Sequence, residues 1–178
     1  MGERYRLAIA GLFLGAGIGA PAIAQDLPES FETGPLLPGT GPNAEVPGMT
    51  PLPESAAFRV AFDTAKGAAD GKPNATFMTA ARFLNMHARA GVDPEDLSAA
   101  IVIHGGAVAD VVKQNKDKPS AELVATLTKH NVRVIVCGQS AASLGVEKED
   151  LLPGVEMALS AITAHALLQQ QGYTLNPF

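Results

Sequence analysis

Cysteine is nearly absent from this chain and tryptophan is absent altogether, since the 178 residues include one cysteine and no tryptophan. A single cysteine cannot form a disulfide within its own chain, so the paired-cysteine framework of many small secreted domains is excluded. One cysteine and four histidines at scattered positions also lack the close ligand spacing of zinc and copper sites. We therefore predict neither a metal site nor a cofactor.

Basic residues are also scarce. Lysine and arginine together number 13 against 18 acidic residues, which gives a formal net charge of −5. Binding to a nucleic-acid backbone depends on a stripe of basic side chains that replaces counterions, and the chain has no such stripe. The composition favours a small molecule or another protein as the partner and excludes a nucleic acid.

The N-terminus has the pattern of a secretory signal peptide. Arg4 and Arg6 precede an apolar run over residues 7–18, which closes on the small residues Ala22 and Ala24. The run is too short and too rich in glycine for a membrane span. We predict that residues 1–24 are a signal peptide cleaved before Gln25, that the mature protein is periplasmic or secreted, and that it is not an integral membrane protein.

Residues 25–54 are rich in proline and glycine, a composition that sustains neither a helix nor a strand ladder. We interpret this segment as a linker or arm. It could drape over a neighbouring subunit, although a solvated spacer is the commoner outcome for such a composition. The remaining residues, 55–178, are enough for one compact domain.

Apolar runs in this domain alternate with helical patterns. Strands are predicted at residues 57–62, 99–103 and 132–136, with a further edge strand within 173–178. Continuous apolar runs such as 99–103 are typical of parallel strands covered on both sides. The predicted fold class is therefore α/β, with a mostly parallel sheet and helices on both faces in three layers.

Helix starts and stops can also be placed from the sequence. Asn74 is positioned to cap a helix that ends near Gly91, and Phe83 and Met86 fall on a second side of that helix, which hints at a subunit contact. Ser120 is the predicted cap of the next long helix. Pro153 is predicted to begin the last long helix, with one face made by Val155, Leu159, Ile162 and Ala166.

Two reactive side chains stand at the ends of predicted strands. Cys137 ends the run at 132–136, and His104 ends the run at 99–103. Ligands and reactive groups collect at the carboxyl ends of parallel strands, so both are expected at one rim. There His104 could lower the pKa of the thiol or orient a substrate, and the backbone N–H groups of residues 138–140 could hold an anion.

The alternatives at this rim stay open. Cys137 could be a buried small hydrophobe that ends a strand, and His104 could be bonded to loop backbone. Asp63 and Lys66 could reach the rim, yet a solvated turn pair is the commoner role. No acidic residue lies next to His104 in sequence to orient it, which disfavours a cysteine hydrolase, and His165 occurs in a helical pattern without partner spacing.

Several segments, in this order and spacing, resemble the DsrE/DsrF-like sulfur-relay family, which has a YchN-like fold. They are Phe62-Asp63, Lys66-Gly67, residues 101–105, 132–140 and 151–155, and the helix end at 169–173. The resemblance implies a sulfur carrier or sulfurtransferase-like protein that holds sulfane sulfur as a persulfide on Cys137. It further implies a homotrimer or hexamer and a sulfur-donor or acceptor protein as partner.

The predicted site therefore has Cys137 and His104 as its reactive residues and a ligand-binding rim formed by Gly105, Gly138, Gln139, Ser140 and Lys66. A persulfide carrier needs a thiolate that a partner's sulfur can reach and that is shielded enough to keep its cargo. The alternative function is a non-catalytic small-ligand-binding or assembly module of the same fold, in which Cys137 is incidental.

Overall fold

The computed structural model describes residues 27–176, and the predicted signal peptide lies outside this part of the chain. Five parallel strands form one sheet in the order β4-β3-β2-β1-β5. The strands are β1 (Phe58–Thr64), β2 (Leu97–Ile103), β3 (Val132–Cys137), β4 (Val155–Ala158) and β5 (Thr174–Asn176). The α/β fold class with a parallel sheet is confirmed.

Helices cover both faces of this sheet. They are α1 (Ala75–Arg89), α2 (Pro119–Leu127), α3 (Gly138–Ser143) and α4 (Ala161–Gln170), with short 3₁₀ turns at Pro94–Asp96, Gly105–Val111, Lys113–Asn115 and Lys148–Asp150. The larger core lies between the sheet and helices α1 and α2, and a smaller core lies under α4. Strand β2 is fully buried from Ala99 to Ile103, because it has neighbouring strands and helices on all sides.

The start of α1 agrees with the sequence, whereas the start of α2 does not. Asn74 caps α1, where its side chain accepts a hydrogen bond from the Thr76 N–H at 2.9 Å. Ser120 is inside α2 and not its cap, because the helix begins at Pro119. The buried Ser120 hydroxyl instead accepts the Asn74 N–H at 3.0 Å and so ties α2 to the start of α1.

The predicted helix from Pro153 is wrong in its first part. Residues Val155–Ala158 form strand β4, in which Val155 pairs with Val134, and α4 begins only at Ala161 behind the cap Ser160. An apolar residue every three or four positions fits a helix, but Val155 is needed to close the edge of the sheet. As a result Leu159 and Ile162, which the helical pattern placed on one face with Val155, are exposed, whereas Val155 is buried.

Residues 31–44 of the Pro/Gly-rich segment are not a solvated spacer, whereas residues 45–50, which follow them, are exposed. Residues 31–44 pack on the outer side of α1 in the same chain, with Leu37 and Asn43 buried. The backbone at Gly41 lies so close to α1 that a Cβ there would be 2.5 Å from the Ala81 carbonyl carbon. On the second side of α1, Phe83 packs edge-on against Phe62 inside this domain, whereas Met86 is 42% exposed.

Within residues 27–176, no helix is both long and apolar enough to cross a membrane.

Candidate functional site

Three side chains reach one side of the sheet at the carboxyl ends of neighbouring strands. Val102 and Ile135 belong to the small core under α4. Side chains alternate along a strand, so His104 and Cys137, two positions further on, project toward the same side. Asp63 is paired with Val102 across β1 and β2 and shares that side. The register Ile103 to Val136 places His104 and Cys137 as next neighbours at this rim.

Asp63 is the centre of a hydrogen-bonded cluster with two histidines. Its Oδ2 lies 2.9 Å from Nε2 of His104, and its Oδ1 lies 2.8 Å from Nε2 of His165 on α4. Burial raises the pKa of the Asp63 carboxyl, but the hydrogen bonds and charges of the two imidazoles lower it by more, so the pKa lies below its ordinary value. Asp63 is therefore a carboxylate at neutral pH, and each histidine donates its Nε2–H to it.

The two histidines differ at their other nitrogen. Nδ1 of His165 is buried and has no hydrogen-bond partner. Nδ1 of His104 also has no hydrogen bond to residues 27–176, but the His104 side chain is 33% exposed against 16% for His165. Water can therefore hydrogen-bond to Nδ1 of His104, whereas Nδ1 of His165 is shielded from water.

Cys137 lies where two helices begin. Burial raises the pKa of its thiol, while hydrogen bonds with the Ser140 hydroxyl and with backbone N–H groups at the starts of α3 and α4 lower it by more. The net pKa lies below the ordinary value, because these donors favour a thiolate. The residue itself is only 6% exposed, so a small reagent has better access to the sulfur than a bulky one.

Ser140 connects the cysteine to the loop that follows His104. Its hydroxyl accepts the Gly105 N–H at 3.1 Å and also faces the Cys137 thiol. Within residues 27–176, no direct hydrogen bond joins Cys137 to His104. The arrangement is a thiol and an imidazole held side by side through Ser140, and not a closed cysteine–histidine dyad.

Gly138 allows the close approach between α3 and the end of β4. A Cβ on Gly138 would lie 2.6 Å from the Ala158 carbonyl oxygen, so a side chain there would force the backbone to shift. Beside it is an open cavity of about 520 Å³, lined by Gly138, Gln139, Lys148, Met157, Ala158 and Leu159. The cavity borders the residue that follows Cys137, so it offers space next to the thiol but does not include it.

Of the predicted ligand-binding residues, Gln139 lines this cavity, whereas Lys66 does not. Gln139 is exposed, and its Nε2 donates to the Leu159 carbonyl at 3.4 Å. The Lys66 carbonyl accepts the Asn74 side-chain amide at 2.9 Å, while the exposed Lys66 side chain has no hydrogen bond or ion pair with residues 27–176. Asp63 and Lys66 therefore do not form the predicted turn pair, since Asp63 is held by two histidines.

Sequence reasoning missed the role of Asp63 as the acidic partner of His104 and assigned no partner to His165, which bonds to Asp63. Asp63 is 41 residues from His104 in the chain, so adjacency in sequence could not reveal it. A signal for His165 was present, because Ala161, Ala164, His165 and Leu168 recur at helical spacing and form the sheet-facing side of α4. The predicted start of that helix at Pro153 had selected a different face.

The arrangement is built for hydrogen bonding and proton exchange. Within the described residues, no group of three or more His, Cys, Asp or Glu side chains is placed to hold a metal ion. What the site offers is a thiol of lowered pKa, a neighbouring imidazole with an open Nδ1, and a carboxylate that fixes the imidazole. Such a set suits nucleophilic sulfur chemistry.

Comparison with known proteins finds solved structures of similar fold and a matching family. One such structure is a protein of unknown function, MTH1491 from Methanobacterium thermoautotrophicum, with 19% identity and a TM-score of 0.54. The alignment covers 68% of this chain and 99% of MTH1491. No curated protein matches. The sequence model of the DsrE/DsrF-like family matches residues 58–177, which is nearly all of the domain predicted at residues 55–178. The chain therefore belongs to the DsrE/DsrF-like family.

Proposed function

We propose that this protein carries sulfane sulfur as a persulfide on Cys137 within a sulfur relay. The observation that supports this most directly is the position of the thiol at the starts of α3 and α4, where hydrogen bonds lower its pKa. The thiolate is the form of cysteine that attacks a sulfane sulfur. Membership of the DsrE/DsrF-like family supports the same chemistry.

The surroundings of the thiol suit storage of a reactive sulfur. Cys137 is 6% exposed, which shields a persulfide from reductants and oxidants in bulk solution. The neighbouring Gly105 and Ser140 present polar groups at the rim, and His104 offers a proton-exchanging nitrogen. Gln139 and Gly138 border the adjoining cavity, where a sulfur donor can approach.

The proposal includes the setting in which this relay operates. We propose that the protein is exported by its N-terminal signal peptide and acts in the periplasm or outside the cell, with a sulfur-donor or acceptor protein as partner. We also propose that it assembles as a homotrimer or hexamer. Exposed apolar side chains next to the rim, Leu159 at 71% and Ile162 at 83%, support a protein contact at this side of α4.

The burial of Cys137 also favours a second candidate function, a non-catalytic module that binds a small ligand or assembles with partners. In that case the thiol ends a strand as a small apolar group. The two functions differ in whether the thiol must react, so they can be separated by measuring its chemistry.

Intact mass spectrometry of the purified protein, before and after incubation with inorganic polysulfide, tests the persulfide function. We expect a gain of one or more sulfur atoms that a reductant reverses and that Cys137→Ser lacks. If the folded, reduced protein gains no sulfur, the persulfide function is wrong and the result favours the binding or assembly module. Sedimentation of the same samples tests the proposed homotrimer or hexamer. A purely monomeric protein would contradict that proposal.

A further inference from the structure

The shared carboxylate of Asp63 restricts the proton positions on both histidines. An ionised carboxylate only accepts hydrogen bonds, so the contacts of 2.9 Å to His104 and 2.8 Å to His165 each require a proton on Nε2. A neutral imidazole carries one proton. In its neutral form, His104 therefore has an unprotonated Nδ1.

We propose that Asp63 and His165 are positioning residues that hold His104 in the Nε2–H tautomer, so that Nδ1 of His104 is the basic nitrogen at the Cys137 rim. Asp63 orients the ring directly. His165 acts through Asp63, since its Nε2–H occupies Oδ1 and leaves Oδ2 for His104.

The role of His165 follows from its enclosure. Moving its proton to Nδ1 would create a buried N–H donor without a partner, because that nitrogen has no hydrogen-bond partner and no contact with solvent. The His104 side chain is more exposed, so its proton can move to Nδ1 at little cost, because water can accept the hydrogen bond from Nδ1–H. When Asp63 can no longer accept from both rings, the change of tautomer is therefore expected at His104 and not at His165.

This inference rests on the proposed function for its chemical use. No direct hydrogen bond joins the two side chains within residues 27–176, so the thiol proton passes through water at the rim to Nδ1 of His104. The Cys137 thiolate then attacks the terminal sulfur of a donor R–S–S⁻. In inorganic polysulfide, R is a chain of further sulfur atoms. The donor S–S bond breaks, its electron pair stays on the sulfur of R, and that sulfur takes the proton from His104. The products are the Cys137 persulfide anion and R–SH, so atoms, charge and electrons balance without an added oxidant.

Three variants separate this role from a merely structural one. In Asp63→Asn, the amide offers an oxygen that accepts and an NH₂ group that donates. The oxygen should accept from Nε2–H of His165, and the NH₂ group should then face His104. Because the NH₂ group donates to Nε2 of His104, that ring must carry its proton on Nδ1. In His165→Gln, the glutamine amide can donate to Asp63 in place of Nε2 and leave His104 unchanged. In the double variant, the introduced glutamine can accept a hydrogen bond from the NH₂ group of the introduced asparagine, which turns the asparagine oxygen back toward His104.

The tautomers are read by NMR of protein labelled with ¹⁵N-histidine at mildly alkaline pH, and the rate of sulfur loading from polysulfide is measured by mass spectrometry. We expect the Nε2–H form of His104 in the wild type and His165→Gln, the Nδ1–H form in Asp63→Asn, and return of the Nε2–H form in the double variant. Loading should slow by about tenfold or more in Asp63→Asn and recover in the double variant.

An Nδ1–H form of His104 in the wild type would overturn the inference, and this measurement needs no variant to fold. An unchanged tautomer in folded Asp63→Asn would overturn it as well, as would slow loading that the double variant does not restore. If the tautomers follow the expected pattern but even the wild type takes up no sulfur, the proposed function fails while the tautomer control by Asp63 and His165 is upheld.

Discussion

His165 Nε2 and Asp63 Oδ1 lie 2.8 Å apart, although 102 residues separate them in the chain. Asp63 is in β1 and His165 is in α4, so their hydrogen bond forms only when α4 is packed on the sheet. His104 at the end of β2 completes the cluster through the other carboxylate oxygen. The chemistry of the rim therefore depends on the tertiary fold, and not on any single loop.

The thiol pKa should depend on Ser140. Replacing Ser140 by alanine removes the hydroxyl that lowers the pKa of Cys137, so that pKa should rise. Thiolate forms as pH rises through the pKa, so the pH profile of Cys137 alkylation by iodoacetamide should move to higher pH and the rate at neutral pH should fall. Ser143→Ala is the matched control, because the Ser143 hydroxyl donates to the Ser140 carbonyl at 2.8 Å and has no other hydrogen bond with residues 27–176. Identical profiles for Ser140→Ala and the wild type would contradict the expectation.

Gly138 should not accept a side chain. In Gly138→Ala, the new Cβ would lie 2.6 Å from the Ala158 carbonyl oxygen, so α3 and the end of β4 must move apart. We expect a loss of about 1–3 kcal/mol in the free energy of unfolding, as for other overpacked sites, measured by urea denaturation. Gly106→Ala is the control, since its nearest Cβ neighbour would be at an ordinary 3.7 Å. Equal stability of the two variants would show that the contact at Gly138 relaxes freely.

The sequence predicts the sheet interior because burial on both faces requires apolar residues at nearly every position there. Residues 99–103 are apolar throughout, residues 132–136 are apolar except for the half-buried Arg133, and both segments are strands in the structure. Asn74 at the start of α1 is a local signal of the same kind, since a cap and its N–H donor are close in sequence. Features of this sort need no tertiary information.

Strand β4 and the arm could not be predicted in the same way. Val155 repeats at helical spacing with Leu159 and Ile162, and only its pairing with Val134 at the sheet edge decides in favour of a strand. The Pro/Gly-rich arm has no periodicity at all, and its position is set by hydrogen bonds from Asn85, which is polar and lies in a helix. Both outcomes depend on partners distant in the chain, as does the contact of Asp63 with His165.

The ion pair of Glu156 with Arg133 should stabilise the fold at neutral pH but not at acid pH. The bidentate hydrogen bonds from Arg133, at 2.7 and 2.9 Å, lower the pKa of Glu156 below its ordinary value. A depressed folded pKa gives stability that is complete above the unfolded pKa of about 4.3 and is lost as pH falls through the folded pKa. Both side chains are more than a third exposed, at 37% and 44%, so solvent screening limits the effect to less than about 1 kcal/mol.

This pH dependence is measured by comparing the free energy of unfolding of the wild type and Glu156→Gln across acid and neutral pH. The difference should be present at neutral pH and vanish in acid. Glu29→Gln serves as the control, because Glu29 is exposed and has no ion pair with residues 27–176. A difference between wild type and Glu156→Gln that grows toward acid pH would contradict the assigned sign.

Asn85 should hold the N-terminal arm on the domain. It is fully buried in α1, where its Oδ1 accepts the Leu37 N–H at 2.7 Å and its Nδ2 donates to the Thr40 and Gly41 carbonyls at 2.9 and 3.1 Å. Asn85→Ala leaves these arm groups without partners, which should cost about 2–4 kcal/mol and make residues 31–44 more sensitive to limited proteolysis. Arg82→Ala is the control, because it removes a single hydrogen bond to the Pro42 carbonyl at the exposed edge and should cost less than about 1 kcal/mol. Proteolysis of Asn85→Ala at the wild-type rate, in a protein that remains folded, would mean that the other contacts of the arm keep it in place, which are the packing of Leu37 and the hydrogen bonds from Arg82 and Arg89.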